Sequence, residues 1–196
     1  MRWIWIDKFV EFESGRRAVA VKNVTLSEEH LHDHFPGFPV MPECLMIEAM
    51  AQTAGILVGQ TSNFQEKIVL AKINKAVFFD YVTPGDSLRI EARIETVSPE
   101  AAGTSGRITR AVGSGSRTHN SAIGDLDQLI AEIDLMFSHL DHNLAGKKFP
   151  EENFVFTGAI TSLLRDVVPD GRQGDPGSQT QSIVFGLPPQ GRESQG

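Results

Sequence analysis

The hydrophobic and polar positions change period several times along the chain, and each change marks an element. Leu88, Ile90, Ala92 and Ile94 alternate with Arg89, Glu91, Arg93 and Glu95, the period of a half-buried strand. The stretch before it, residues 67 to 79 (KIVLAKINKAVFF), is rich in β-branched and aromatic residues. It ends near Val82-Thr83-Pro84-Gly85-Asp86, where the Pro-Gly pair suits a type II turn. Residues 3 to 12 and 16 to 25 read as a hairpin about Glu13-Ser14-Gly15. Between them and the later strands, alternation disappears. Leu45, Ile47, Ala49, Met50, Ala51, Ala54, Ile56, Leu57 and Val58 form a helix that is apolar on nearly every side, the pattern of a helix enclosed by other elements. Pro42 suits its start, because the first backbone N–H groups of a helix have no intrahelical partner. Gly59 and the polar residues after it mark its end.

The second half is less regular. Residues 106 to 112 predict a weaker strand, residues 113 to 121 (GSGSRTHNS) a flexible connection, and 98 to 127 together a long loop region. Residues 125 to 140 allow two readings. Leu126, Leu129, Ile130, Ile133, Met136 and Leu140 fit a helix capped by Asp125, while Ala131, Ile133, Leu135 and Phe137 alternate as a strand. Periodicity slightly favours the helix. Within residues 141 to 168, Ile160, Leu163, Leu164 and Val167 form the stripe of an amphipathic helix. From Pro169 onward Gly, Pro, Gln, Ser and Asp dominate, a composition that cannot bury enough apolar surface to order itself. Three regions are therefore expected: a main domain at 1 to 140, an extension at 141 to 168 and a disordered tail at 169 to 196.

Composition narrows the function. The formal net charge of −7 argues against a nucleic-acid binder, which needs clustered basic residues. Yet residues 67 to 117 hold eight basic against five acidic residues, so one face could steer an acidic partner; ordinary solvated strand faces are the plainer explanation. A single cysteine, Cys44, excludes an internal disulfide and suits a reducing compartment. Asp7 and Lys8 interrupt the opening apolar stretch where a signal peptide would continue, and no run is long enough to span a membrane. A cytoplasmic location with no membrane span is the expectation.

The chemistry concentrates in HFPGFPVMPECLMIEAMAQ, residues 34 to 52. Glu48 is a lone acid on a helix expected to be buried, where a carboxylate is costly to ionise unless it is paired. His34 sits in a proline-rich loop just ahead of that helix. Each alone has a structural explanation, a cap or ion pair for Glu48 and a satisfied loop histidine for His34. Together, near a helix start that aims unpaired N–H groups outward, they supply a base, an acid and an anion-stabilising site for removing a proton beside a carbonyl. His30, His32 and His34 also alternate, and in an extended strand they would share a face able to hold a metal. The Asp33-His34-Phe35-Pro36 context favours a loop instead, so no metal is expected.

HFPGFPVMP followed by Glu48, then EAMAQ, resembles the signature of the 3-hydroxyacyl-acyl-carrier-protein dehydratases of the FabZ type. WIDKFVEFESGRRAVAVKNVT resembles that family's opening hairpin, and LAKINKAVFFDYVTPGDSLRIEARI its strand, turn and strand after the helix. Residues 128 to 138 resemble its closing strand, which selects the strand reading there. The similarity runs over about residues 3 to 138. It implies an α+β hotdog fold, a curved antiparallel sheet wrapped around a long central helix. It also implies a reaction without metal or organic cofactor: His34 takes the C2 proton of a 3-hydroxyacyl thioester and Glu48 protonates the departing hydroxyl. Gly37 would allow the turn that presents His34, and the Glu43 N–H would hold the thioester oxygen. Phe38 and Val40 would line the substrate site, and Gln52 would support the acid. The substrate would arrive on acyl carrier protein, in a homodimer or larger assembly whose sites are shared between subunits.

The chain departs from the family pattern in three ways. Glu43 stands where glycine is usual, Asp33 where a glycine precedes the histidine, and the N-terminal helical lead-in is missing. Glu43 motivates the alternative of a non-catalytic hotdog subunit that binds carrier protein or a partner dehydratase. A hotdog thioesterase and an enoyl-CoA hydratase are further alternatives.

Overall fold

A computed structural model describes residues 3–111, 127–140, 155, 162–164 and 167–168. Its elements are β1 (Lys8–Glu13), β2 (Arg17–Asn23), α1 (His30–Asp33), α2 (Glu43–Thr61), β3 (Ile68–Phe78), β4 (Ser87–Val97), β5 (Ala101–Arg110) and β6 (Gln128–His139). The six strands form one antiparallel sheet in the order β1-β2-β4-β5-β6-β3. The sheet follows α2 along its length: the helix contacts β2, β3, β4, β5 and β6. Met46, Ala49, Met50, Ala54, Ile56, Leu57 and Val58 are all buried, pointing in every direction from the axis, as the continuous apolar pattern requires.

Close approach of sheet to helix explains the composition of β5. Its inward positions are Ala102, Thr104, Gly106 and Ile108. A Cβ on Gly106 would lie 2.3 Å from the Met50 sulfur and 3.1 Å from the Glu91 carbonyl, so glycine here makes room for the Met50 side chain as placed. Small residues there weaken the apolar alternation, which is why the sequence predicts a loop from 98 and a strand only from 106. The strand in fact starts at Ala101, and Ser98 N donates to the Ala101 carbonyl to close the turn from β4. In β6, Ile133, Leu135 and Phe137 face the core while Glu132, Asp134 and Met136 point away, so the strand reading of 128 to 138 holds against the slightly better helical period.

The turn between β3 and β4 has Gly85 at φ +98° and Asp86 N donating to the Thr83 carbonyl at 3.1 Å, as the Pro-Gly pair predicts. The first hairpin is shorter than expected. Residues 3 to 7 precede β1 and pack toward α2, with Ile6 buried and Trp5 half-buried against the core. In the extension, Ser162–Leu164 form a 3-10 turn rather than the expected helix among the described residues, and Leu164 is buried beside β1. Ile160, the connection at 113 to 121, the tail from 169 and the apolar stretch 183 to 188 lie outside the described residues.

Candidate active site

α1 is a single turn anchored by Leu31, which is 1% exposed. Because this segment is helical, His30 and His32 do not share a face, and the metal-binding arrangement of three histidines is not formed. Among the described residues no group of His, Cys, Asp and Glu could hold a metal. His32 instead meets the Leu26 carbonyl through Nε2 at 3.0 Å. The His30 ring lies edge-on to Trp5, and burial pushes its titration below the usual histidine range.

His34 caps α1 and opens the loop to α2; the peptide after it is cis. Phe35 N donates to the Phe38 carbonyl and Phe38 N to the Phe35 carbonyl, at 3.0 and 2.9 Å. That reversal needs Gly37 at φ +77°, a conformation costly for any residue with a Cβ. The turn brings Val40 back to His34. Val40 N donates to the His34 carbonyl at 2.8 Å, and His34 Nδ1 lies 2.9 Å from the Val40 carbonyl. A carbonyl oxygen only accepts, so Nδ1 carries the hydrogen and a neutral ring has its lone pair on Nε2. Met41 N then donates to the Val82 carbonyl, fastening the loop to the turn before β4.

Pro42 is the N-cap of α2, and Glu43 is the first helical residue. Its side chain is exposed, and its backbone N–H is in the first turn, where no intrahelical acceptor exists. Glu48, one turn further on, is half-buried rather than enclosed as the apolar run predicts. Its Oε1 accepts from Gln52 Nε2 at 2.9 Å. The same Nε2 donates to the Trp3 carbonyl at 2.9 Å, and Gln52 Oε1 accepts from Trp5 N at 2.8 Å.

Two pairs of predicted residues therefore meet: His34 with Val40, and Glu48 with Gln52. No hydrogen bond joins His34 to Glu48 within the chain among the described residues. Phe38 is 54% exposed and touches Tyr81 edge-on, its ring centroid 5.9 Å away; Phe35 and Phe79 are exposed nearby in sequence. Tyr81 and the backbone of Trp3 and Trp5 had no signal in the sequence that would have placed them here. A second missed group is Arg110, which bonds the Tyr81 carbonyl, Asp86, Gln128 and Asp80, and so pins the segment to which Met41 is fastened.

Most of the basic residues expected to offer a charged face have acidic neighbours. Arg89 binds Glu11, Arg93 binds Glu91, Lys75 and Arg107 meet Glu132, and Arg110 binds Asp80 and Asp86, while Arg17 from β2 joins Glu11 and Glu91. These cations hold the Glu11, Glu91 and Glu132 carboxyls below their ordinary range. A depression of about 230 Å³, lined by Lys75, Arg93, Arg107, Glu132 and Asp134 among others, contains none of the predicted site residues.

Among the described residues one long helix is wrapped by a six-stranded antiparallel sheet, with a histidine loop before it and an acid on it, and this architecture defines a hotdog protein. The model of the FabA-like domain matches residues 3–116, and the chain belongs to that family. It is similar to the "3-hydroxyacyl-[acyl-carrier-protein] dehydratase FabZ" of Pelotomaculum thermopropionicum, 37% identical over 137 residues that cover 69% of this chain and 87% of that one. The FabZ of Desulforamulus reducens is 39% identical over 137 residues, covering 69% and 86%. Among solved structures, smu.793 from Streptococcus mutans, bound to acetyl CoA, has the same fold, with a TM-score of 0.52 at 16% identity over 71% of this chain and 92% of that one.

Proposed function

We propose that this protein dehydrates 3-hydroxyacyl thioesters of acyl carrier protein to trans-2-enoyl thioesters in fatty-acid biosynthesis, in the cytoplasm. The observation that carries the reading is the Nδ1–H bond of His34 to the Val40 carbonyl. It turns a loop histidine into an oriented base whose free lone pair is on Nε2. His34 Nε2 takes the C2 proton, and the C2–H electron pair forms the C2=C3 bond as the C3–O bond breaks. Glu48 gives its proton to the departing hydroxyl, which leaves as water. His34 ends protonated and Glu48 ionised, and solvent resets both. The N–H groups at the start of α2, Glu43 first, are suited to the negative charge that develops on the thioester oxygen. The exposed Glu43 side chain leaves that N–H accessible, which favours catalysis over the reading of a non-catalytic subunit.

The site is shared across a homodimer. Supporting this, His34 and Glu48 are not bonded within one chain, and β3 is a sheet edge exposed from Leu70 to Val77, with Leu70, Ile73 and Val77 open to solvent. Such an edge is a template for pairing with another strand. Turnover is tested by following enoyl-thioester absorbance with crotonyl and 3-hydroxybutyryl substrates. His34→Ala and Glu48→Gln should each lower kcat by about 10²- to 10⁴-fold, the range of a positioned acid or base. Wild-type turnover that survives both changes would refute the assignment.

A further inference from the structure

Gln52 is the meeting point of the acid and the N-terminal segment. Its side-chain nitrogen donates to Glu48 Oε1 and to the Trp3 carbonyl, both at 2.9 Å, and its oxygen accepts from Trp5 N at 2.8 Å. An amide has two N–H donors and one oxygen, and the backbone at Trp3 and Trp5 fixes which end is which. Were the amide turned over, its oxygen would face the Trp3 carbonyl and its nitrogen would face the Trp5 N–H. Two clashes with the main chain would replace two bonds, whatever the protonation of Glu48. Gln52 is 7% exposed, so water cannot readily take the place of these partners.

The other end of the segment is held independently of α2. The Trp5 ring packs edge-on to His30, with centroids 5.3 Å apart, and lies 5.6 Å from Lys22 Nζ. Asp7 N donates to the Val21 carbonyl at 2.7 Å and carries the segment into β1. The backbone that orients Gln52 is thus anchored, at Trp5 and Asp7, by α1 and by the sheet.

We infer that residues 3 to 5 are a positioning element for the reaction: through Gln52 their backbone fixes the carboxyl of Glu48 on one rotamer, with Oε1 engaged and Oε2 directed to the substrate. This rests on the proposed dehydration for its meaning, and on the hydrogen bonds alone for its geometry. Trp3 and Trp5 are positioning residues that act through their main chain, so their contribution is invisible to side-chain chemistry.

The test compares the full chain with one that starts at residue 4, carrying Met in place of Ile4, and with Gln52→Met in both backgrounds. The shortened chain loses the Trp3 carbonyl but keeps the Trp5 N–H. Its kcat should fall about 10- to 100-fold, the cost of a slightly misplaced reacting group, while KM changes less than about twofold. Gln52→Met should lower kcat as far or further, and shortening that variant should then change little more, because both remove one device. In parallel, the Glu48 carboxyl carbon is titrated by NMR in ¹³C-glutamate-labelled protein, assigned by its loss in Glu48→Gln. Its curve should shift on shortening. Equal kcat and superimposable Glu48 titrations in full and shortened chains would overturn the inference, as would effects of shortening and Gln52→Met that multiply. If the shortened chain fails to fold, Gln52→Met in the full chain decides through the same two readouts. A full chain with no turnover on any 3-hydroxyacyl thioester would refute the function instead, and the Glu48 titration would still judge the positioning element.

Discussion

Lys22 on β2 faces the core side of the hairpin and is 6% exposed, an unusual place for an ammonium group. Its Nζ lies 3.0 Å from both carboxylate oxygens of Glu28 and 3.1 Å from the Asn23 carbonyl, beneath the Trp5 ring. Glu28 also accepts from Thr25 N at 2.9 Å. Leu31 N donates to the Glu28 carbonyl at 3.0 Å, so this residue leads directly into α1 and His34. Replacing Glu28 with alanine strands a buried ammonium. Removing one member of a buried pair costs about 3–5 kcal/mol, and the 17% exposure of the Glu28 side chain places the cost near the lower end. At an m-value of about 2 kcal/mol per molar urea, a loss of about 3 kcal/mol lowers the unfolding midpoint by about 1.5 M.

The decisive arm is the double replacement, Lys22→Met with Glu28→Ala. With no charge left to desolvate, it should be more stable than Glu28→Ala alone by about 2 kcal/mol, since apolar groups of similar volume often replace a buried pair without loss. Urea unfolding followed by tryptophan fluorescence reads wild type, Glu28→Ala, Lys22→Met and the double replacement, and Trp5 reports from above the pair. Additive losses would refute the argument, because additivity would mean that the two charges do not interact. A Glu28→Ala midpoint within about 0.3 M of wild type would do the same, showing that water reaches Lys22.

Three other outcomes are expected. Ile73→Glu combined with Val77→Glu places charge on the open β3 edge; sedimentation should show monomers, and turnover should fall with them, whereas dimers of full activity would exclude this edge as the interface. Gly106→Ala should destabilise by about 1–3 kcal/mol in thermal unfolding, since its Cβ would overlap the Met50 sulfur and meet the Glu91 carbonyl at 3.1 Å; an unchanged Tm would show that Met50 moves aside freely. Burial depresses His30 from its ordinary value of 6.5, so the unfolded state binds the proton more readily. The stability it contributes is complete above about pH 6.5 and is lost as pH falls through the lower folded value, and His30→Gln should flatten the decline in Tm between pH 7 and 5.

How much of this was legible in the sequence depended on whether a residue acts through its own side chain. The alternation of Leu88 to Glu95 and the all-round apolar helix from Leu45 to Val58 state their surroundings directly, and both lie where their periods predict. β5 was half hidden, because the helix it packs against demands Ala102, Thr104 and Gly106, and small residues carry little hydrophobic signal. Residues 128 to 138 show the converse: an apolar stretch whose spacing fits two periods, settled as strand by pairing with β3 on one side and β5 on the other. Such pairing is a property of the sheet and has no counterpart in the local pattern.

The site divides in the same way. The positions of His34, Gly37, Glu48 and Gln52 in the proposed site were readable because each is a residue type whose chemistry or backbone freedom draws attention to it. The half-burial of Glu48 was not readable, since an apolar run does not say how far each residue on it is enclosed. Nor was the orientation of its carboxyl. That orientation depends on the main-chain carbonyl of Trp3 and the N–H of Trp5, groups that every non-proline residue possesses. What the sequence shows at this point is two tryptophans in an apolar stretch, which read as strand and turn out to precede it. The same distinction bears on the departure at Glu43. The role proposed for position 43 belongs to its backbone N–H, which glutamate keeps, while the side chain that differs is exposed. On the proposed mechanism the atom at work is in the main chain, and turnover by the unaltered chain is what tests whether the side chain matters.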